Sequence, residues 1–352
     1  MKLKVSKVAS VLGTLALAGI LTACSSKNST ENIDAGMQAI KEIDYQTALA
    51  CFDAAEEAGE DSKLLNRGRG IAYMGSVQYE AAIESFKEAL AAGSNTPEKI
   101  DYDINYYLGV CYYKLGMLDD ALARYDAIID LKPKSVDAYF ERASVYLAKG
   151  SHDAAIEDLE KAMALEPKNF SLCIDAYCVL SEAGFESDGV NYLQVAMDSN
   201  DKSMTDYDKG RMCFYLGDYS RARNYLEQAR SAGEKSEDLM LYLGQSYKNL
   251  GDTAYTISMY EGFLGDNPSA SIYNQLGMLY AADGNYELAI EAFDKGLSLE
   301  GTDTRQELLF NRIVAYENMG DFNSAKAMMS DYLVDYPNDK EAVKENNFLQ
   351  TR

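Results

Sequence analysis

The side chains that most often carry enzymatic chemistry are sparse in this sequence. It has a single histidine, His152, and six cysteines at irregular spacing with no Cys-x-x-Cys pair. A glycine-rich phosphate loop, a G-x-S-x-G nucleophile motif and an H-E-x-x-H zinc motif are all missing. Carboxylates are abundant, but they fall on helix positions expected to face solvent. We therefore expect no catalytic residue, no metal site and no cofactor, and predict that the protein is not an enzyme.

Five of the six cysteines are expected to be structural thiols. An odd number at irregular spacing is not a disulfide framework, and no zinc-ligand spacing is present. The simplest interpretation is that these side chains act as small buried hydrophobic groups. They are Cys51, Cys111, Cys173, Cys178 and Cys213.

The sixth cysteine, Cys24, follows a segment with the features of an export signal. Lys2, Lys4 and Lys7 precede an apolar run at 8–21 that is too short to span a membrane as a stable helix. The run ends in Leu-Thr-Ala-Cys, which resembles a bacterial lipobox, in which the cysteine is acylated and becomes the new N-terminus. An ordinary secretory signal that happens to contain a cysteine is the alternative. The small residues before Cys24 and the polar stretch after it favour a lipoprotein.

This resemblance implies a processed, anchored protein. We expect a signal peptide at 1–23 that is removed, and a lipidated Cys24 with a short tether at 24–30. The expected location is the extracytoplasmic face of a bacterial membrane. That face is the cell surface if there is one membrane, and it faces the periplasm if there are two.

The charge balance limits the possible partners. With 33 basic and 56 acidic residues the formal net charge is −23. Such a surface repels phosphate backbones and anionic lipid head groups, so we expect no nucleic-acid binding and membrane contact through the lipid anchor only. A partner that is neutral or basic overall fits this charge best.

An internal repeat of about 34 residues organises the rest of the chain. We number positions within blocks that begin at 29, 63, 102, 136, 170, 203, 237, 270 and 306. Position 8 is glycine in six blocks, position 11 is tyrosine in six, and four of the five prolines fall at position 32. Position 20 is a small residue or threonine throughout: Ala48, Ala82, Ala121, Ala155, Gly189, Ala222, Thr256, Ala289 and Ala325.

These columns resemble the tetratricopeptide repeat, a helix-turn-helix unit with an aromatic residue, Leu-Gly, Tyr, Ala, Phe and Pro at fixed offsets. The resemblance implies an all-α, right-handed superhelical solenoid of about nine repeats at 31–339. We expect Gly at position 8 to face Ala at position 20 where paired helices approach, and Gly at position 15 to end each first helix. Asp218, Asp252, Asn285, Asp321 or Ser151 is expected to cap the second helix.

Three segments depart from the pattern. An insertion at 97–101 predicts a longer helix with Thr96 as its N-cap and Pro97 at its first position. The fifth repeat has Tyr177 where a small residue belongs and Gly189 in its second helix, so either a compensating exchange or a bend is expected there. Residues 340–352 are predicted to form a short helix that covers the last repeat.

The family resemblance implies that first helices line a concave surface, with positions 2, 5, 6, 9, 12 and 13 pointing into it. Repeat three places Tyr106, Tyr107 and Tyr113 there. Repeats six to nine combine aromatic rings with amides, which suit an extended peptide, although some of these rings could instead pack between repeats. The cationic set of a carboxylate clamp is missing. The predicted partner-binding residues are Tyr207, Arg211, Phe214, Tyr215, Tyr242, Gln245, Asn249, Asn274, Gln275 and Asn311.

The function predicted from these features is a membrane-anchored, extracytoplasmic scaffold that binds a partner polypeptide. Two alternatives stay open: a lipoprotein that captures a glycan or solute, and an accessory lipoprotein of an envelope assembly or secretion machine. The absence of tryptophan, the ring best suited to stacking on sugars, disfavours the glycan alternative. His152 aligns with aromatic residues of other repeats, so we expect it to pack rather than to catalyse.

Overall fold

A computed structural model describes residues 30–93, 96–299 and 304–352, and every helix or strand element within these ranges is an α-helix. The predicted all-α repeat array is therefore confirmed. The described residues fall into two compact units, 30–199 and 200–352. The predicted signal peptide and Cys24 lie outside the described residues.

The first unit consists of five antiparallel helix pairs, one for each of repeats one to five. Within the unit, the second helices of repeats one to four also contact the first helix of the next repeat, so the buried faces of neighbouring pairs merge into shared apolar clusters. The helices are α1 (Glu31–Lys41), α2 (Tyr45–Glu57), α3 (Ser62–Gly75), α4 (Tyr79–Ala91), α5 (Lys99–Lys114), α6 (Leu118–Leu131), α7 (Val136–Ala148), α8 (His152–Leu165), α9 (Ser171–Glu182) and α10 (Glu186–Asp198).

The second unit consists of four pairs and a terminal helix. Its helices are α11 (Asp206–Tyr215), α12 (Tyr219–Ser231), α13 (Glu237–Asn249), α14 (Thr253–Leu264), α15 (Ala270–Ala282), α16 (Tyr286–Leu297), α17 (Arg305–Met319), α18 (Phe322–Asp335) and α19 (Lys340–Leu349). In α19, Ala342 and Leu349 are fully buried against the last repeat, as expected for residues that cover an exposed apolar end.

The turn between paired helices has the same backbone in all nine repeats. Position 15 has a positive φ in each, between 60° and 90°. Only glycine adopts this left-handed region without steric cost, which confirms glycine as the residue that ends the first helix in seven repeats. The first two repeats have β-branched residues instead, Ile43 at φ 60° and Val77 at φ 63°.

The close approach of paired helices involves position 24 as well as positions 8 and 20. Position 20 is buried and faces position 8 as expected: in repeat seven Thr256 Oγ1 at position 20 donates to the backbone carbonyl of Gly244 at position 8, at 3.3 Å. A ring at position 24 packs against the same glycine. A Cβ added to Gly109 would lie 2.6 Å from Cζ of Tyr125, the residue at position 24. A Cβ added to Gly36 would meet the ring of Phe52 in the same way. Cβ atoms on Gly70, Gly244 and Gly277 would likewise meet the rings at position 24 of their own repeats. Glycine therefore occurs at position 8 because a fully buried ring occupies the space of its missing side chain.

The fifth repeat contains the compensating exchange. A Cβ on Gly189 would lie 2.8 Å from Cα of Tyr177, so the small residue at position 20 admits the backbone of the large residue at position 8. The two positions have exchanged sizes, and both helices of this repeat form. The boundary between the two units follows this repeat directly.

The insertion before α5 lengthens the helix, as predicted, but the helix starts later than expected. With 16 residues α5 is the longest of the described helices, and it begins at Lys99. Glu98 and Asp101 form a reciprocal capping box, so the prediction that Thr96 and Pro97 begin the helix was wrong. The second-helix caps were partly correct: Asp218, Asp252 and Asp321 accept backbone hydrogen bonds, whereas Ser151 and Asn285 do not.

Candidate functional site

The predicted binding residues lie on the first helices of the second unit. We call the surface that α11, α13, α15 and α17 present the first-helix face. A capping box fixes the start of α11, because Thr205 Oγ1 accepts from the backbone N–H of Asp208, 3.1 Å away, and the Asp208 side chain accepts from Thr205. The spacing within α11 then places Tyr207, Arg211 and Phe214 on one side of the helix.

Five side chains from α11 and α13 form one contiguous group, which we call the aromatic–arginine cluster: Tyr207, Arg211, Phe214, Tyr215 and Tyr242. The Arg211 guanidinium lies 5.4 Å from the ring centroid of Tyr207 and 5.7 Å from that of Tyr242. Phe214 meets Tyr242 edge-on at 5.2 Å, and the hydroxyls of Tyr215 and Tyr242 are 3.1 Å apart. The structure thus brings these five predicted residues together.

The members of the cluster differ in their exposure to solvent. Tyr242 is only 4% exposed, whereas the other four members are half-buried. Burial raises the pKa of Tyr207 and of Tyr242, so both phenols keep their protons at neutral pH. Arg211 is thereby a cation held against two neutral rings, a geometry that orders the guanidinium before any ligand arrives.

The predicted amide contacts are mostly wrong. Asn274 and Asn311 are completely buried, and Asn311 Nδ2 donates to Asn274 Oδ1 at 2.9 Å. Gln275 is also buried, at 6% exposure. The bond between Asn311 and Asn274 joins α15 to α17 inside the second unit. These three buried amides are not part of an accessible surface, contrary to the prediction.

Two amides remain at the surface. Gln245 is half-buried and Asn249 is exposed at the end of α13, with Asn249 Nδ2 donating to the backbone carbonyl of Gln245 at 2.7 Å. The accessible part of the predicted site therefore shrinks from four repeats to repeats six and seven.

His152 packs as expected. Its ring lies 4.2 Å from that of Phe185, and Nε2 is 3.0 Å from Asp188 Oδ2. Both partners belong to the next repeat, so the histidine joins two repeats of the first unit.

None of the five expected structural cysteines forms a disulfide, but only Cys111 and Cys213 are buried, while the other three are half-buried. Burial raises the pKa of Cys111 to about 12, so its thiol stays protonated at neutral pH. The described ranges contain no group of three or more potential metal ligands, and no helix in them is long and apolar enough to cross a membrane.

The first unit has a polar site that we did not predict. Tyr106 donates a hydrogen bond to Glu141 on the neighbouring first helix, at 2.8 Å. We had treated carboxylates as solvated, yet Glu141 occupies position 6, a column assigned to the concave surface. The position within the repeat was therefore the signal that could have identified it.

Comparisons with known proteins agree with the repeat register. A tetratricopeptide-repeat model matches residues 34–97, 68–135, 106–170 and 207–254, and two further models of this repeat match 270–303 and 307–339. Among curated proteins, the chain is 22% identical to a peroxisomal targeting signal receptor of Kluyveromyces lactis, over 72% of this chain and 48% of that protein. It is 26% identical to tetratricopeptide repeat protein 13 of Homo sapiens, over 56% of this chain and 24% of that protein.

The chain thus spans about half or less of these curated relatives. Among solved structures, a tetratricopeptide repeat protein from Parabacteroides merdae is 18% identical with a TM-score of 0.44, over 71% of this chain and 98% of that one. The matched models cover most of the sequence. The chain belongs to the tetratricopeptide-repeat family.

Proposed function

We propose that this protein is a scaffold anchored at the extracytoplasmic face of a bacterial membrane, and that it binds a partner polypeptide on the first-helix face of repeats six and seven. The observation that carries the binding proposal is the aromatic–arginine cluster. It combines half-buried rings with an ordered cation, whereas stability alone would favour fully buried rings.

The chemistry of the cluster fits an extended polypeptide. Tyr207, Phe214 and Tyr215 offer flat apolar surface at low cost in side-chain entropy, because an aromatic side chain has only two rotatable bonds. Gln245 and Asn249 lie on the adjoining helix and can pair with an exposed peptide backbone. Arg211 supplies a pairing point for one acidic group of the partner.

The charge of the protein shapes the rest of the partner. At a net charge of −23, long-range attraction favours a partner that is neutral or basic overall. Association should weaken as salt rises, since exposed charges are screened beyond a Debye length of about 8 Å at physiological ionic strength. The membrane location in this proposal rests on the lipobox-like sequence that ends at Cys24.

The test begins with capture of the partner by crosslinking in the membrane fraction. Binding is then measured for Tyr215→Ala and Arg211→Ala beside Tyr255→Ala, which removes an exposed tyrosine from the second helix α14. We expect each first-helix variant to lose about thirtyfold in affinity, the usual effect of removing an interface hot spot of ~2 kcal/mol. Wild-type affinity in both first-helix variants, with binding lost in Tyr255→Ala, would refute the proposed site.

A further inference from the structure

A second site, of opposite charge, lies in the first unit between α5 and α7. Its centre is the Glu141 carboxylate, which is half-buried and accepts the hydrogen bond from Tyr106. No lysine or arginine nitrogen in the described part of the chain lies within 4 Å of it. By contrast, the buried Asp158 carboxylate of this unit pairs with Arg142 at 2.7 Å.

The surroundings do not compensate the charge of Glu141. Burial raises its pKa, and the nearby Asp137 carboxylate adds to that effect, while the Tyr106 hydrogen bond and the more distant Lys114 oppose it. The net direction is upward, so the folded protein holds this carboxylate in an unfavourable environment. Lys114 Nζ instead lies 6.0 Å from the ring centroid of Tyr113.

An unpaired hydroxyl points toward the same place. Tyr125 is fully buried, and its Oη has no hydrogen-bond partner among the described residues. The ring passes Gly109 on α5, where an added Cβ would lie 2.9 Å from Oη. The tip thereby lies on the side of α5 that also carries Tyr106 and Tyr113. Tyr106 makes an edge-on ring contact with Tyr125 at 6.0 Å, and Glu141 raises the pKa of Tyr125 after the larger effect of burial. A buried hydroxyl without a partner costs about 1–3 kcal/mol, which a ligand recovers when the side chains that cover Oη shift to admit it.

The rim of this site is aromatic and acidic. Tyr113, one turn beyond Gly109 on α5, is half-buried, and the carboxylates of Glu141 and Glu182 both raise its pKa, after the larger effect of burial. Ring faces attract cations through their quadrupole, and carboxylates attract them directly. The site therefore offers acceptors and negative potential, with few donors.

We propose that Glu141, Tyr106, Tyr113 and Tyr125 form a binding site for a primary ammonium group, namely a lysine side chain of a partner polypeptide. An ammonium carries three donors on a compact charge, which suits one free carboxylate oxygen and one hydroxyl. A guanidinium prefers both oxygens of a carboxylate, and Oε1 of Glu141 already accepts from Tyr106. This site goes beyond the function proposed above, because it belongs to the other unit and selects the opposite charge.

The test is affinity selection with the purified full chain. The probe is a library of blocked nonapeptides with randomised flanks and a central lysine, norleucine, arginine or glutamate, read out by mass spectrometry. We expect central lysine to be enriched at least tenfold over norleucine, which has the same apolar stem without the charge, and enriched over arginine. Glu141→Gln should abolish that enrichment, while Glu160→Gln on the exposed side of α8 should keep it.

Tyr125→Phe separates a binding role from a structural one. Removing an unsatisfied buried hydroxyl should leave the thermal midpoint unchanged or raised, yet the enrichment of lysine should fall at least threefold. Equal retention of lysine and norleucine, equal retention of lysine and arginine, or full enrichment in Glu141→Gln would each overturn the proposal. If Tyr125→Phe enriches lysine as strongly as wild type does, the Tyr125 hydroxyl does not contact the ammonium group and the proposed geometry is wrong.

Discussion

Replacing Val77 by glycine should stabilise this protein, which is an unusual expectation for a valine-to-glycine change. Val77 lies at position 15 of repeat two with φ 63°, where seven other repeats have glycine. A non-glycine residue with this positive φ destabilises the folded state by about 1–2 kcal/mol. Glycine removes that strain, but its greater freedom in the unfolded chain offsets about 0.5–1 kcal/mol of the gain. Val77 is 67% exposed, so little buried surface is lost. The net gain should be about 0.5–1 kcal/mol.

Chemical denaturation followed by circular dichroism measures this effect. Val195→Gly is the matched control, because Val195 is 61% exposed but lies inside α10, where glycine should cost a few tenths of a kcal/mol. The reverse change, Gly116→Val at φ 73°, should destabilise even though a Cβ there would have no neighbour within 4 Å. A loss of stability in Val77→Gly similar to that in Val195→Gly would refute the reasoning from backbone conformation.

Three further predictions concern packing, pH and anchoring. Gly244→Leu or Ala289→Leu should destabilise the protein by roughly 1–3 kcal/mol through overpacking. The control Glu291→Leu, which loses only an exposed ion pair, should do little. Equal thermal shifts in all three variants would contradict the assignment of positions within the repeats. Burial and then Glu345 raise the pKa of Glu317 from 4.5 to about 7, so the unfolded chain ionises first and stability should fall as pH rises between these values. Urea midpoints at pH 5 and pH 8 should differ less in Glu317→Gln than in wild type. Cys24→Ala should release the protein from the membrane; retention of all of it after a salt wash would contradict lipid anchoring.

The sequence predicted the fold well because the repeat supplies nine observations of each position. The glycine column at position 15 and the small residues at position 20 follow from backbone sterics and close packing, which act locally and recur. The ring that packs over the glycine at position 8 was less predictable. The aromatic residue at position 24 indicates that the paired helices must leave space for a ring. Only the structure shows that this space is at position 8, where Tyr125 lies over Gly109.

The candidate site was predicted less completely, for a physical reason. Positions 5, 6 and 9 of a first helix can face either the open surface or the neighbouring first helix, and the choice depends on what the next repeat offers. Asn274 turns inward because Asn311 provides a hydrogen-bond partner. Arg211, at position 9, stays half-buried beside the rings of Tyr207 and Tyr242. The repeat pattern in the sequence assigns each residue a position within its own repeat, but it does not show which side chain of the next repeat that residue meets.

The central claim is that the partner binds the first-helix face of repeats six and seven. Photocrosslinking in living cells tests it most directly, with a benzoylphenylalanine in place of Tyr207 on α11 or, as the matched control, in place of Tyr255 on α14. Both sites carry a surface-accessible tyrosine, so each substitution replaces one ring with another. We predict a discrete crosslinked product from position 207 and none from position 255. A product from position 255 alone would contradict the account.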